Sequence, residues 1–78
     1  MNMKELVEVI AKALVDHPDE VSVVERKEGR ELILELHVAP SDMGKVIGKQ
    51  GRIAKSIRAV VKAASTRDNS HVDVDIIG

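Results

Sequence analysis

Apolar residues recur at helical spacing from Met3 to Val15. Leu6, Ile10 and Leu14, with Met3 and Ala13, share one face, and Glu5, Glu8, Lys12 and Asp16 keep mainly to the other. The pattern predicts an amphipathic helix. His17-Pro18 ends it, because a residue before proline avoids the helical region, and Asp19-Glu20 follows as a loop. From Val21 the period changes to two. Val21 to Arg26 predicts a strand, with Val21 and Val23 pointing one way and Ser22 and Val24 the other. Glu28-Gly29 predicts a turn. Arg30 to Val38 predicts a second strand, with Leu32, Leu34 and Leu36 inward and Ile33, Glu35 and His37 outward; the short connection makes the pair an antiparallel hairpin. Pro40-Ser41 closes that strand and offers an N-cap for the next helix.

Helical spacing returns from Asp42 to Ile47, where Met43, Val46 and Ile47 make an apolar face, and again from Arg52 to Ala64. There Ile53, Ile57, Val60, Val61 and Ala64 form the expected core stripe, with Lys55, Arg58 and Lys62 off it. Gly48-Lys49-Gln50-Gly51 lies between as a four-residue turn. Thr66 to Ser70 is polar and predicts a loop. Val72 to Ile77 predicts a third strand, alternating Val72, Val74 and Ile76 against Asp73, Asp75 and Ile77. The expected order is α-β-β-α-α-β, an α+β fold in one domain spanning residues 1–78. Two helices between the second and third strands suit a right-handed crossover between parallel neighbours. The expected sheet is therefore three-stranded and mixed. The second strand is central, antiparallel to the first and parallel to the third, with three helices on one face.

Composition narrows the function. A chain of 78 residues holds one modest core, and a domain of that size buries only roughly 60% of its unfolded surface. There is no cysteine, so neither a disulfide framework nor a cysteine-based zinc site supplements that core. No apolar run approaches the roughly 20 residues that span a bilayer, and no signal-peptide pattern opens the chain, so the expected location is the cytoplasm. The absence of Phe, Tyr and Trp argues against nucleic-acid readers that stack bases on aromatic rings. Net charge is −1, but the distribution is uneven. Met43 to Arg67 holds seven basic residues (Lys45, Lys49, Arg52, Lys55, Arg58, Lys62 and Arg67) and no acidic one, leaving a balance of −8 on the rest of the chain. A solvated helix face is the plain explanation. The coincidence of the basic run with the glycine turn favours a surface for a polyanion.

The turn itself carries the candidate chemistry. Glycine reaches positive φ freely and lets another chain come close to the backbone. The turn feeds the start of a helix, where unpaired N–H groups and the dipole favour an anion. Lys49 and Arg52 add positive charge at the same corner. G-x-x-G alone is common by chance. Here it stands as Val46-Ile47-Gly48-Lys49-Gln50-Gly51-Arg52-Ile53, with helices beside it and strands beyond them. That arrangement, over nearly the whole chain, resembles the KH domain, whose GXXG loop clamps the backbone of single-stranded nucleic acid. With the extra helix and strand at its start it resembles the bacterial (type II) KH arrangement, and it is most similar to the small single-KH RNA-binding proteins of the KhpA family.

The resemblance implies an RNA-binding protein, not an enzyme and without cofactor or metal, that holds about four unpaired nucleotides in a narrow groove. The candidate RNA-binding residues are Lys45, Val46, Ile47, Gly48, Lys49, Gln50, Gly51, Arg52, Ile53 and Lys55. The turn backbone and Lys49 would hold phosphates. Val46, Ile47 and Ile53 stand where the family places the apolar groove floor, and the second strand would form the opposite wall, overhung by the loop Ser65 to Ser70. Without aromatic rings one such site binds weakly, on the order of micromolar to millimolar. A weak homodimer, or pairing with a second RNA-binding protein of KhpB type, would supply avidity. For a homodimer the expected surface is helical, beside the glycine turn, through Ala54, Ile57, Val61 and neighbouring alanines. The family likeness further implies an RNA chaperone or post-transcriptional regulator linked to cell elongation and envelope synthesis.

Three rival readings remain in view. A nucleotide-binding P-loop needs G-x-x-x-x-G-K-[ST] after a strand. Gly44 and Gly48 have three residues between them, and Gln50 follows Lys49 where the hydroxyl should be. For catalysis or metal binding, His17, His37 and His71 are scattered over three elements, and Asp73 and Asp75 are read more simply as the solvent side of a strand. A protein-interaction module with a KH-like fold and no direct nucleic-acid binding is the third, with the glycines serving only the turn.

Overall fold

The computed structural model describes residues 2–66 and 71–78. Helix α1 spans Met3–Leu14. Asn2 caps it, its side-chain oxygen accepting the Glu5 N–H at 2.8 Å. The chain leaves α1 at Val15, whose N–H donates to the Ala11 carbonyl. Val7 and Ala11 are the buried residues of α1, with Met3 and Ile10 packed at the core's rim, while Ala13 is exposed and Leu14 is 38% exposed. The apolar stripe is therefore rotated from the expected one. Met3, Val7, Ala11 and Val15 form an i, i+4 row whose small third member hides it from a count of large side chains. A single 3-10 turn, Pro18–Glu20, stands where the sequence predicted a loop.

Strand β1 spans Ser22–Glu28 and β2 spans Glu31–His37. They pair antiparallel from Ser22↔His37 to Glu28↔Glu31, so Gly29-Arg30 is a two-residue hairpin loop. Gly29 takes the positive φ, +61°, that such a tight loop requires. Helix α2 spans Pro40–Thr66 and β3 spans His71–Ile77. β3 pairs parallel with β2, giving a sheet ordered β1-β2-β3 with β2 central, as a right-handed crossover predicts. Of the expected loop Thr66 to Ser70, Thr66 closes α2, and 67–70, Arg67 included, lie outside the described residues.

The expectation of three helices on one face is corrected. The element order is α-β-β-α-β. Pro40–Thr66 is one 27-residue helical element, and the glycine turn is a break inside it. Gly48 makes one extended step (φ −64°, ψ 173°), and Lys49, Gln50 and Gly51 then coil left-handed with φ of 53°, 63° and 70°. Four residues wound this tightly open no separating loop, so the helical path is interrupted and resumes. α2 also begins at Pro40 rather than after a Ser41 cap, because proline fits the first turn, where its missing N–H has no partner to lose.

The core lies between the two helices and the inner face of the sheet. Val7 and Ala11 of α1, Val46, Ala54, Ile57 and Val61 of α2, and Val23, Leu34, Leu36 and Val74 of the sheet form one cluster. Val60, expected in the α2 stripe, is 39% exposed instead. On the open face of the sheet Ile33 is only 8% exposed although it points away from the helices. Arg26, its cross-strand partner, makes ion pairs with Glu28, with Glu35 at 3.2 Å and with Asp75 at 3.5 Å, laying its arm over all three strands. The acids of this face are Glu28, Glu31, Glu35, Asp73 and Asp75, and Val24, His37 and Ile77 share it. Glu31's carboxyl is raised above its ordinary value, chiefly by a hydrogen bond with Asp73 and then by that group's charge. Basic residues of α2 and acidic residues of the open sheet thus occupy opposite sides of the molecule. Among the described residues no helix is long and apolar enough to cross a membrane.

Candidate nucleic-acid interface

The turn in α2 exposes its polar residues by its backbone conformation. Two consecutive non-glycine residues, Lys49 and Gln50, are held left-handed, a conformation that costs roughly 1–2 kcal/mol per residue. Such local strain clusters at ligand clamps and switch regions. Both side chains are exposed, and with Arg52 they line an open recess of about 310 Å³.

The two glycines answer different demands. Gly51 sits at φ +70°, which favours glycine whatever surrounds it. Gly48 has an ordinary φ, and a Cβ added there meets no atom of the protein within 4 Å. Neither its conformation nor its packing within the chain asks for glycine. Gly48→Ala is expected to leave the thermal midpoint within a degree or two, whereas Gly51→Ala lowers stability by about 1 kcal/mol through strain at positive φ. Urea titration of the two variants checks this contrast.

The other candidates divide. Ile47 is 51% exposed directly before the turn, and Ile53 just after it is half-buried against the core. Lys55 is exposed one turn into the second segment of α2. Val46 is 1% exposed, so its side chain belongs to the core and not to a surface. Lys45 is exposed, and its Nζ pairs with Asp16 Oδ1 at 3.0 Å.

β2, expected as the opposite wall, is the central strand, with its backbone paired on both sides. The edge strand beside α2 is β3. Between them is a cavity of about 390 Å³, flanked by Arg58, Val61 and Lys62 on α2 and by His71 to Val74 on β3. Arg58 Nε donates to the Val74 carbonyl at 3.4 Å, on the outer side of this edge. Helical spacing alone makes Arg58 a solvated residue; only the parallel pairing, which puts β3 at the edge, gives it a place. Sequence reasoning misses Asp42 too, because a single acid in a first helical turn looks like a dipole partner. Among the described residues, no three His, Asp or Glu side chains gather as a metal cluster.

A glycine turn within a helical hairpin, backed by a three-stranded mixed sheet, defines a KH domain. The family model described as KhpA/KhpB, KH domain, matches residues 4–76. The proteins named RNA-binding protein KhpA of Clostridium acetobutylicum and Clostridium perfringens are each 64% identical over 75 residues, 96% of this chain and 100% of theirs. The protein of the same name in Halalkalibacterium halodurans is 61% identical over 75 residues, 96% of this chain and 99% of its own. The crystal structure of a variant of Aquifex aeolicus Era bound to GDP and aluminium fluoride is similar with a TM-score of 0.65 over 95% of this chain. At 19% identity and 29% of Era's length, that is a likeness of fold alone. The chain belongs to the KhpA/KhpB KH-domain family.

Proposed function

We propose that this chain binds single-stranded RNA, with phosphates at the glycine turn and bases over Ile47 and Ile53 toward the edge of β3. The observation that carries the reading is the turn. Two strained left-handed residues present Lys49 and Gln50 to solvent beside a bare Gly48 backbone, at the start of a helical segment whose charges are all basic. Lys45, Arg52 and Lys55 extend that charge on either side. The relatives' name, RNA-binding protein KhpA, supports RNA as the polyanion.

One groove without aromatic rings holds RNA weakly, so a second site on the same strand is expected, from a weak homodimer or from a KhpB-like RNA-binding partner. The surface first expected for a homodimer is not available: Ala54, Ile57 and Val61 are 5%, 0% and 1% exposed. Apolar residues that α2 does leave exposed include Ala59, Val60 and Ala63, along with Ile47 beside the turn. Action in the cytoplasm as an RNA chaperone or post-transcriptional regulator, tied to cell elongation and envelope synthesis, rests on the family resemblance.

The test is a titration with unpaired and duplex RNA at several salt concentrations. Holding two to four phosphates gives a log–log salt slope of roughly −1.4 to −2.8 for single strands. Duplex RNA is expected to compete poorly. A salt-independent affinity, or a preference for duplex, contradicts the reading.

A further inference from the structure

Asp42 is a buried charged residue, 1% exposed, in the first turn of α2. Its Oδ1 accepts the backbone N–H of Asp16 and its Oδ2 that of His17, each at 3.0 Å. The His17 carbonyl then accepts the Glu20 N–H at 3.1 Å and starts the 3-10 turn that leads into β1. Lys45, one turn further along α2, pairs with the Asp16 side chain at 3.0 Å. A single carboxylate thus ties the start of α2 to the exit of α1.

The tie holds a particular segment. Residues 40–47 are the short arm of α2 before its break, and the glycine turn rides on their end. Apart from Asp42, this arm is anchored by Val46, in the core, by Met43, packed at the core's edge, and by the exposed Lys45–Asp16 ion pair, which solvent weakens. Apolar contacts are non-directional and let a two-turn arm roll or slide. A buried carboxylate is expensive to desolvate, so a small core gains little from one for cohesion alone. Two charge-assisted hydrogen bonds to fixed backbone donors supply direction, which apolar packing lacks.

We propose that Asp42 is a positioning residue for RNA binding. It fixes the roll and height of the short arm, and so where Ile47, Gly48 and Lys49 stand against the longer arm and β3. The proposal rests on the reading of the glycine turn as the RNA clamp.

The test compares Asp42→Asn and Asp42→Ala with Val7→Ala, a core truncation in α1 that leaves the Asp42 hydrogen bonds to Asp16 and His17 in place. Binding of a fluorescein-labelled unpaired RNA oligonucleotide is measured well below each thermal midpoint and at several salt concentrations. Both Asp42 variants are expected to bind at least ~10-fold more weakly, with the salt slope reduced by about 0.7 for each phosphate no longer held. Val7→Ala keeps the wild-type affinity and slope despite its lower midpoint, because lost stability alone does not change how many phosphates are held. If Asp42→Ala does not fold, Asp42→Asn carries the test: it preserves size and one acceptor but sets an amide NH2 against the second backbone N–H. A folded Asp42→Asn with wild-type affinity and slope overturns the proposal, and so does equal weakening in Val7→Ala. Failure of the underlying reading is seen elsewhere: binding that is indifferent to replacing Lys49 and Gln50 by Asp removes the premise, and the proposal with it.

Discussion

Replacing Lys49 and Gln50 together by Asp is expected to abolish RNA binding while leaving the fold intact. Both side chains are exposed at the turn, and neither contributes to the core. Their φ values of 53° and 63° are ones that Asp tolerates better than most residues, so the backbone of the turn survives the exchange. The exchange replaces one positive charge with two negative charges where a phosphate would sit. A loss of at least ~100-fold in affinity, about 2.7 kcal/mol, is expected. The thermal midpoint should move by no more than a few degrees, since surface changes away from caps and core are usually within about 0.5 kcal/mol. Fluorescence anisotropy with unpaired RNA and a thermal melt of the same sample read both quantities. A folded double variant that still binds RNA would move the site away from the glycine turn and revive the protein-interaction reading.

The sheet was legible in the sequence because its signal is strong and local. Leu32, Leu34 and Leu36 alternate with Ile33, Glu35 and His37, and two helical stretches before the third strand leave little choice but a parallel crossover. The turn was legible as a turn but not as a break within one helical element. Nothing in Lys49-Gln50 announces two left-handed residues in succession; that conformation is imposed by the segments they join. The details that failed depend on which neighbour covers which residue. Ile33 was placed outward, correctly, yet it is buried beneath Arg26. Val60 fits the helical stripe, but the turn redirects the second arm of α2, and Ala54 takes the inward place. Asp42 needed a partner 25 and 26 residues away to become more than an acid at a helix start. The free edge beside α2 belongs to β3, because a central strand is paired on both sides.

The largest loss of stability is expected from Leu34→Ala. Leu34 is fully buried on the central strand, facing both helices, with Glu25 and Val74 as its cross-strand neighbours. Strands pair on both its sides, so the backbone cannot close over a void left there. Truncations of this kind cost about 2–5 kcal/mol. A domain of this size has roughly 4–12 kcal/mol in total, so the variant is partly or wholly unfolded at physiological temperature. For a small domain each 1 kcal/mol moves the midpoint by about 4–8 °C. Val24→Ala is the matched control: β1 neighbours β2, but Val24 is on the open face and 49% exposed. It is expected to cost about 0.5 kcal/mol or less. A larger loss at Val24 than at Leu34 would mean that the strand faces are assigned the wrong way round, since a register slip of one residue exchanges every inward side chain for its outward neighbour. RNA binding adds a second constraint. Leu34 lines neither the recess at the turn nor the cavity beside β3, so at a temperature where Leu34→Ala remains folded its affinity should equal that of the wild type. A deficit there would show that the sheet's packing governs the shape of the groove.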